Sequence, residues 1–186
     1  AIKALEATGL DKALEYLNSI GIDYPELLYS NAISSNTTVS DQQYGASSEK
    51  MAAAYAVFAN GGTYYKPQYV NKVVFADKTT LEFAPEGSQV LSPEIAYMMT
   101  DMLKSVLTYG TGYSASVSGV PLAGKTGTSN YSDGEVASIL AANSAAYSSS
   151  IVAPDHNFVG YSTKYAMAVW TGYTNRTTPI LDSGSM

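Results

Sequence analysis

The chain has 186 residues, a net charge of −6 and no cysteine, with 46% hydrophobic and 14% charged residues. That composition suits one domain with its own core, and it excludes both an intrinsically disordered chain and a membrane-embedded one. The ten basic residues are scattered, which argues against nucleic acid as a partner, and one His without Cys leaves a zinc site short of ligands.

Ala1 to Ile22 carries apolar residues at Ile2, Leu5, Leu10, Ala13, Leu14, Leu17 and Ile20. These three- and four-residue intervals predict two short helices hinged at Gly9. The chain enters this pattern without a cap, so a further segment is expected upstream. Residues 23 to 46 are polar and turn-rich. A helix from about Ser48 to Asn60 follows, with Met51, Ala54, Tyr55 and Phe58 as its expected buried stripe, closed by Gly61 and Gly62. Tyr69 to Phe75 and Thr80 to Phe83 then read as a hairpin around Asp77-Lys78.

The clearest helix begins at Ser92, with Pro93 at its first position and Glu94 against the positive end of the macrodipole. Its expected apolar face is Ile95, Met98, Met99, Met102, Leu103, Val106 and Leu107, and Gly110 stops it. A Gly-rich stretch, Gly110 to Gly119, leads to a strand at about Leu122 to Thr128. Asp133 to Ser150 reads as part loop and part weak helix. Two strands finish the chain, Asn157 to Tyr161 and Tyr165 to Tyr173, joined at Ser162 to Lys164. The sixteen Tyr read as sheet filler before a polymer-facing surface. The pattern is α plus antiparallel β, without an internal repeat.

Gly124-Lys125-Thr126-Gly127-Thr128-Ser129 fits two unrelated mechanisms. Gly119 to Thr126 matches the phosphate-binding loop G-x-x-x-x-G-K-[ST], which has meaning only between a buried strand and a helix. Ser114 to Ser118 is too short and polar for that strand, Pro121 stiffens the loop, and Gly127 to Gly134 is poor at starting a helix. The other reading is Lys125-Thr126-Gly127 as the K-T-G motif of serine acyl-transfer enzymes that bind penicillin. That chemistry needs a cation beside the nucleophile, a hydroxyl for a substrate carboxylate and an edge-strand amide to polarise a carbonyl. Lys125, the Thr126 or Thr128 hydroxyl and the Thr128 N–H are the candidates. Gly127 allows close approach of the nucleophile's helix.

The surroundings strengthen the second reading. Glu49 to Gly62, with Tyr64-Tyr65-Lys66-Pro67 after it, resembles the helix-and-turn signature of class A penicillin-binding proteins. Gly110-Thr111-Gly112, Phe158-Val159-Gly160-Tyr161 and Ala168 to Tyr173 fall in that family's order. The resemblance covers essentially the whole chain and is closest to the proteins of Gram-positive cocci. It implies an antiparallel sheet flanked by helices, the fold shared with serine β-lactamases, here incomplete. It also implies a peptidoglycan D,D-transpeptidase at the outer face of the cytoplasmic membrane, anchored from outside this segment. Stem peptides and β-lactam antibiotics would be its ligands, and no cofactor or metal is expected. Lys125 would act electrostatically, Thr126 and Thr128 would bind the carboxylate, and the Thr128 amide would serve the oxyanion hole.

The family's S-x-x-K nucleophile motif is matched only formally, at Ser47-Ser48-Glu49-Lys50, which opens a helix lying after the second motif in the family. Ser34-Ser35-Asn36 formally matches that second motif, S-x-N, but reads better as turn chemistry, since the family places S-x-N just before Ala1-Ile2-Lys3-Ala4. The chain is therefore expected to be the C-terminal portion of one transpeptidase domain, inactive alone. The serine-bearing N-terminal half, its expected companion, and the C-terminal helix would lie outside it. Asn157 stands where the family often has Trp, and His156 is expected on a solvated loop. A serine β-lactamase-like fragment and a non-catalytic wall-binding module are the alternative functions.

Overall fold

In a computed structural model of the chain the described residues are 2–26, 38–39, 42–43, 45–142 and 152–181. Ser34 and Asn36 lie outside them, as does 143–150 of the expected weak helix. The chain divides into two compact units, Ala1–Thr100 and Asp101–Met186.

The first unit opens with α1 (Ile2–Thr8) and α2 (Leu10–Ser19), broken as expected at Gly9, where φ is 85°. A two-residue pair, β1 (Thr38–Val39) with β2 (Gln42–Gln43), precedes α3 (Ser48–Ala59). The Ser47 hydroxyl caps α3 by accepting from the Lys50 N–H at 3.2 Å. Ile20 and Ile22 pack with Ala54 and Val57 of α3 into the core of this unit, and Leu17, Met51, Tyr64 and Leu91 close over it. Val57 takes the fully buried place that the periodicity gives to Phe58; Tyr55 and Phe58 are half-buried and meet edge to face with centroids 5.7 Å apart.

After α3 the backbone turns sharply into β3 (Thr63–Tyr65), which pairs antiparallel with β6 (Gly87–Gln89). Gly62 makes that turn at a φ of 90°, and a Cβ there would stand 2.1 Å from the Leu91 carbonyl oxygen, so no other residue fits without backbone movement. This pairing has no alternating apolar pattern behind it and is absent from the sequence reading. Between its strands lies the expected hairpin, shorter than anticipated: β4 (Lys72–Val74) and β5 (Thr80–Glu82). Asp77 accepts from the Thr79 N–H at 2.9 Å and Lys78 adopts a φ of 69°, the geometry of a tight polar turn.

The division between units falls inside α4 (Pro93–Thr108), capped as expected by the Ser92 hydroxyl, which accepts from the Ile95 N–H at 3.4 Å. Its apolar residues form two stripes rather than one face. Ala96, Leu103 and Leu107 are buried, whereas Ile95, Met98 and Met102 are exposed. Periodicity identifies the apolar residues of a helix but not which of its sides a neighbour covers.

The described residues of the second unit include a 3-10 turn (Tyr113–Ala115), β7 (Ala123–Thr128) and α5 (Asp133–Ala142). These lead to β8 (Val152–Ala153), β9 (Asp155–Tyr161), β10 (Ala166–Gly172) and β11 (Ile180–Leu181). β10, β9 and β7 form one antiparallel sheet in that order, and β8 pairs with β11. Ser162 accepts from the N–H groups of Lys164 and Tyr165, which closes the β9–β10 turn where the sequence reading puts it.

Val57 has no exposed surface, so Val57→Ala should cost about 2 kcal/mol; a lower chemical-denaturation midpoint with an unchanged slope is the expected result.

Candidate active site

Gly119 to Thr126 does not form a phosphate cradle. Its second half is extended strand, and the next helix, α5, starts only at Asp133. Among the described residues β7 is the outermost strand of its sheet, paired with β9 on one side only. The register sets Thr126 opposite Phe158, Gly127 opposite Asn157 and Thr128 opposite His156.

Two hydrogen bonds fix which backbone groups face outward. The Ser129 N–H donates to the Asp155 carbonyl at 3.3 Å, and the Ser162 N–H donates to the Tyr165 carbonyl at 2.8 Å. Opposed residues of an antiparallel pair alternate between bonded and non-bonded. Ser129 and Asp155 continue the β7–β9 register, so Ala123, Lys125 and Gly127 bond to β9. Gly124, Thr126 and Thr128 therefore turn their N–H and C=O groups to the open edge. The turn bond gives the same parity from the other side of β9.

Side chains alternate along the strand as well. Thr126 and Thr128 share one face and Lys125 takes the other. Lys125 is exposed, and its ammonium curls to donate to the Thr126 carbonyl at 2.8 Å, which brings the charge to the open edge. The Thr126 hydroxyl lies 2.7 Å from that of Thr111, and the Thr128 hydroxyl lies 3.0 Å from His156 Nδ1. One border of the sheet thus brings together the sequence-predicted ammonium, hydroxyls and outward amide. A Cβ on Gly124 would meet the Val159 carbonyl at 2.6 Å, so close strand approach requires that glycine. A Cβ on Gly127 would make only ordinary contact with Asn157, at 3.4 Å.

His156 is not on a solvated loop. It belongs to β9, is 7% exposed, and faces Thr128. Asp155 beside it is also buried, and its carboxylate accepts from the Ser129 hydroxyl at 2.6 Å and the Asn157 amide at 3.1 Å. Neither this pair nor Thr111 is evident as a site component from sequence, because strand register brings the pair to β7 and the turn after α4 brings Thr111 there. The Gly110-Thr111-Gly112 order is the one signal that points at Thr111. The formal S-x-x-K match is occupied otherwise: Ser47 caps α3, and the Lys50 ammonium goes to Asp23 at 3.1 Å. Among the described residues no group of three or more His, Cys, Asp or Glu is placed to hold a metal.

The exit of β7 is anchored. Ser132 and Glu135 form a capping box at the start of α5: the Glu135 carboxylate accepts from the Ser132 N–H at 2.8 Å, and the Ser132 hydroxyl accepts from the Glu135 N–H at 3.4 Å. Arg176 donates to Glu135 at 3.1 Å and to the Asn130 carbonyl at 3.2 Å, and lies over the Tyr131 ring at 5.4 Å from its centroid. The Ser132 backbone bond, ahead of the Ser132 hydroxyl and Arg176, holds the Glu135 carboxyl below the usual range.

The chain belongs to the family of penicillin-binding protein transpeptidase domains, whose profile, "Penicillin binding protein transpeptidase domain", matches residues 1–184. It is 57% identical to penicillin-binding protein 1A of Streptococcus oralis over 99% of its own length and 28% of that protein. Penicillin-binding protein 1A of Streptococcus pneumoniae is also 57% identical, with 99% of this chain and 25% of that protein covered. These relatives bear out the Gram-positive coccal resemblance, and the chain spans about a quarter of their length. Penicillin-binding protein 1A of Haemophilus influenzae shares the fold, with a TM-score of 0.68 at 19% identity over 94% of this chain and 28% of that one. So does the PonA1 protein of Mycobacterium tuberculosis in complex with penicillin V, with a TM-score of 0.67 at 22% identity over 99% and 46%. The expected α+β class, helices with antiparallel sheets, holds.

A depressed folded-state carboxyl adds stability above its unfolded value and loses it as pH falls through the folded one. Glu135→Gln should therefore lower the denaturation midpoint at pH 7. The difference from the parent should narrow below the ordinary value of 4.5 and vanish in stronger acid, as denaturation measured across pH will show.

Proposed function

We propose that this chain is the K-T-G portion of a peptidoglycan D,D-transpeptidase domain, acting with a nucleophilic serine carried by a part of the protein outside these 186 residues. The observation that carries the reading is the open edge of β7. It combines the Lys125 ammonium, the outward Thr128 N–H and the hydroxyls of Thr126 and Thr128 on a strand border that no other described strand pairs with. An extended peptide laid along that border gains main-chain hydrogen bonds as an added strand would.

In this reading the serine oxygen attacks the penultimate D-Ala carbonyl of a stem peptide. The Thr128 N–H donates to the developing oxyanion, and the charge of Lys125 favours both the anionic substrate and the deprotonated nucleophile. The carbon–nitrogen bond breaks, terminal D-Ala departs with a proton, and the acyl group passes to the amine of a second stem peptide. Thr126 and Thr128 hold the terminal carboxylate. A β-lactam carries a comparable carboxylate and carbonyl, and would acylate the same serine. PonA1, which shares this fold, occurs in complex with penicillin V. Gly127, which its own chain leaves room to replace, is read as a clearance for the serine-bearing helix. The site would work at the outer face of the membrane. No helix among the described residues is long and apolar enough to cross one.

Lys125→Ala in the full-length protein should slow acylation by labelled penicillin at least about 100-fold. Persistence of near-parental acylation would overturn the assignment of Lys125. These residues expressed alone should form no covalent penicillin adduct, and an adduct on the isolated chain would mean that it contains a nucleophile.

A further inference from the structure

Thr128 is read above as a carboxylate-binding hydroxyl, yet that hydroxyl already has a partner within the chain. His156 stands directly across the ladder from it, with Nδ1 at 3.0 Å from Thr128 Oγ1. The imidazole is 7% exposed and sits in the middle of a three-stranded sheet, so its ring is fixed by strand geometry. Register places Thr171 of β10 on its other side. β7 presents Thr126 and Thr128 on the same face. The neighbouring carboxylate, Asp155, alternates to the opposite face, where Ser129 and Asn157 hold it. No acidic side chain of these strands therefore shares the His156 face, and Thr128 is its hydrogen-bonding partner there.

A threonine hydroxyl has one proton to donate. If Nδ1 accepted that proton, Thr128 would turn only lone pairs toward an approaching carboxylate, and the contact would repel. With Nδ1 protonated, the ring donates to Thr128 Oγ1 and the hydroxyl hydrogen points away from the sheet, toward an anion. We propose that His156 is a positioning residue that sets the direction of the Thr128 hydroxyl and so determines how tightly the site grips a carboxylate-bearing ligand. The inference rests on the transpeptidase reading of β7 and extends it: recognition of the substrate's carboxylate runs through a buried imidazole one strand behind the edge.

The test uses full-length protein, benzylpenicillin and its methyl ester, which lacks the anionic carboxylate. Acylation kinetics separate the dissociation constant of the pre-covalent complex from the rate constant of acyl transfer. His156→Leu should raise the dissociation constant for benzylpenicillin roughly ten-fold, with the acyl-transfer rate constant and the methyl-ester kinetics unchanged. His156→Asn sets a polar atom near the place of Nδ1 and should restore parental binding. His156→Gln sets one near the place of Nε2 and should not. The Asn and Gln comparison decides the matter even if the leucine variant fails to fold.

In a Thr128→Val background, His156→Leu should add nothing further. Equal losses for benzylpenicillin and its ester, a matching fall in the acyl-transfer rate constant, or parental binding by His156→Gln would each overturn the role of His156. Those results would leave the transpeptidase reading in place if the parent is acylated and Thr128→Val is impaired. Failure of the parent protein to be acylated at all would remove both.

Discussion

The β7–β9 ladder is the constraint on which the site depends. Its register sets three things together: which residues of β7 bond inward, which amides face out, and which side chains meet His156 and Phe158. The side-chain and hydrogen-bond periods are both two, so a one-residue slip would exchange all three at once. Two glycines hold that register close. Gly124 passes over the Val159 carbonyl with no room for a side chain, and Gly160 lies opposite it in the ladder.

Around this ladder the chain arranges polar groups in hydrogen-bonded pairs. Exposed Thr111 meets the Thr126 hydroxyl and buried His156 that of Thr128, while buried Asp155 gathers Ser129 and Asn157 on the reverse face. Burial of groups such as His156 and Asp155 is costly unless each finds a partner, so their contacts favour one arrangement of the edge over its alternatives. The outermost strand can therefore remain unpaired on one side and still present its groups in fixed directions.

Sequence alone made much of this legible, for identifiable reasons. A cap and glycines marked α2, α3 and α4, because Ser92, Gly9 and Gly62 satisfy or break local backbone demands that neighbours in sequence impose, whereas the Ser47 cap of α3 was not read. Lys125 to Thr128 stood out because its chemistry is written in consecutive residues. Cross-strand relations were not legible. His156 looked like loop beside Asn157, whereas it is a strand residue set between β7 and β10. The β3–β6 and β8–β11 pairs are too short to carry an alternating signal. The two stripes of α4 could not be separated either, since Ile95 and Ala96 are equally compatible with burial until a neighbour covers one of them.

Arg176 has a consequence for how the domain can vary. By clasping Asn130, Tyr131 and Glu135 from a position beyond β10, it joins the chain just after β7 to the chain just after the sheet's last strand. The stretch that leaves β7 is thereby held at Asn130 and Glu135 by a residue 46 and 41 positions later, so a change at Arg176 reaches the strand's exit without touching Lys125 or Thr128.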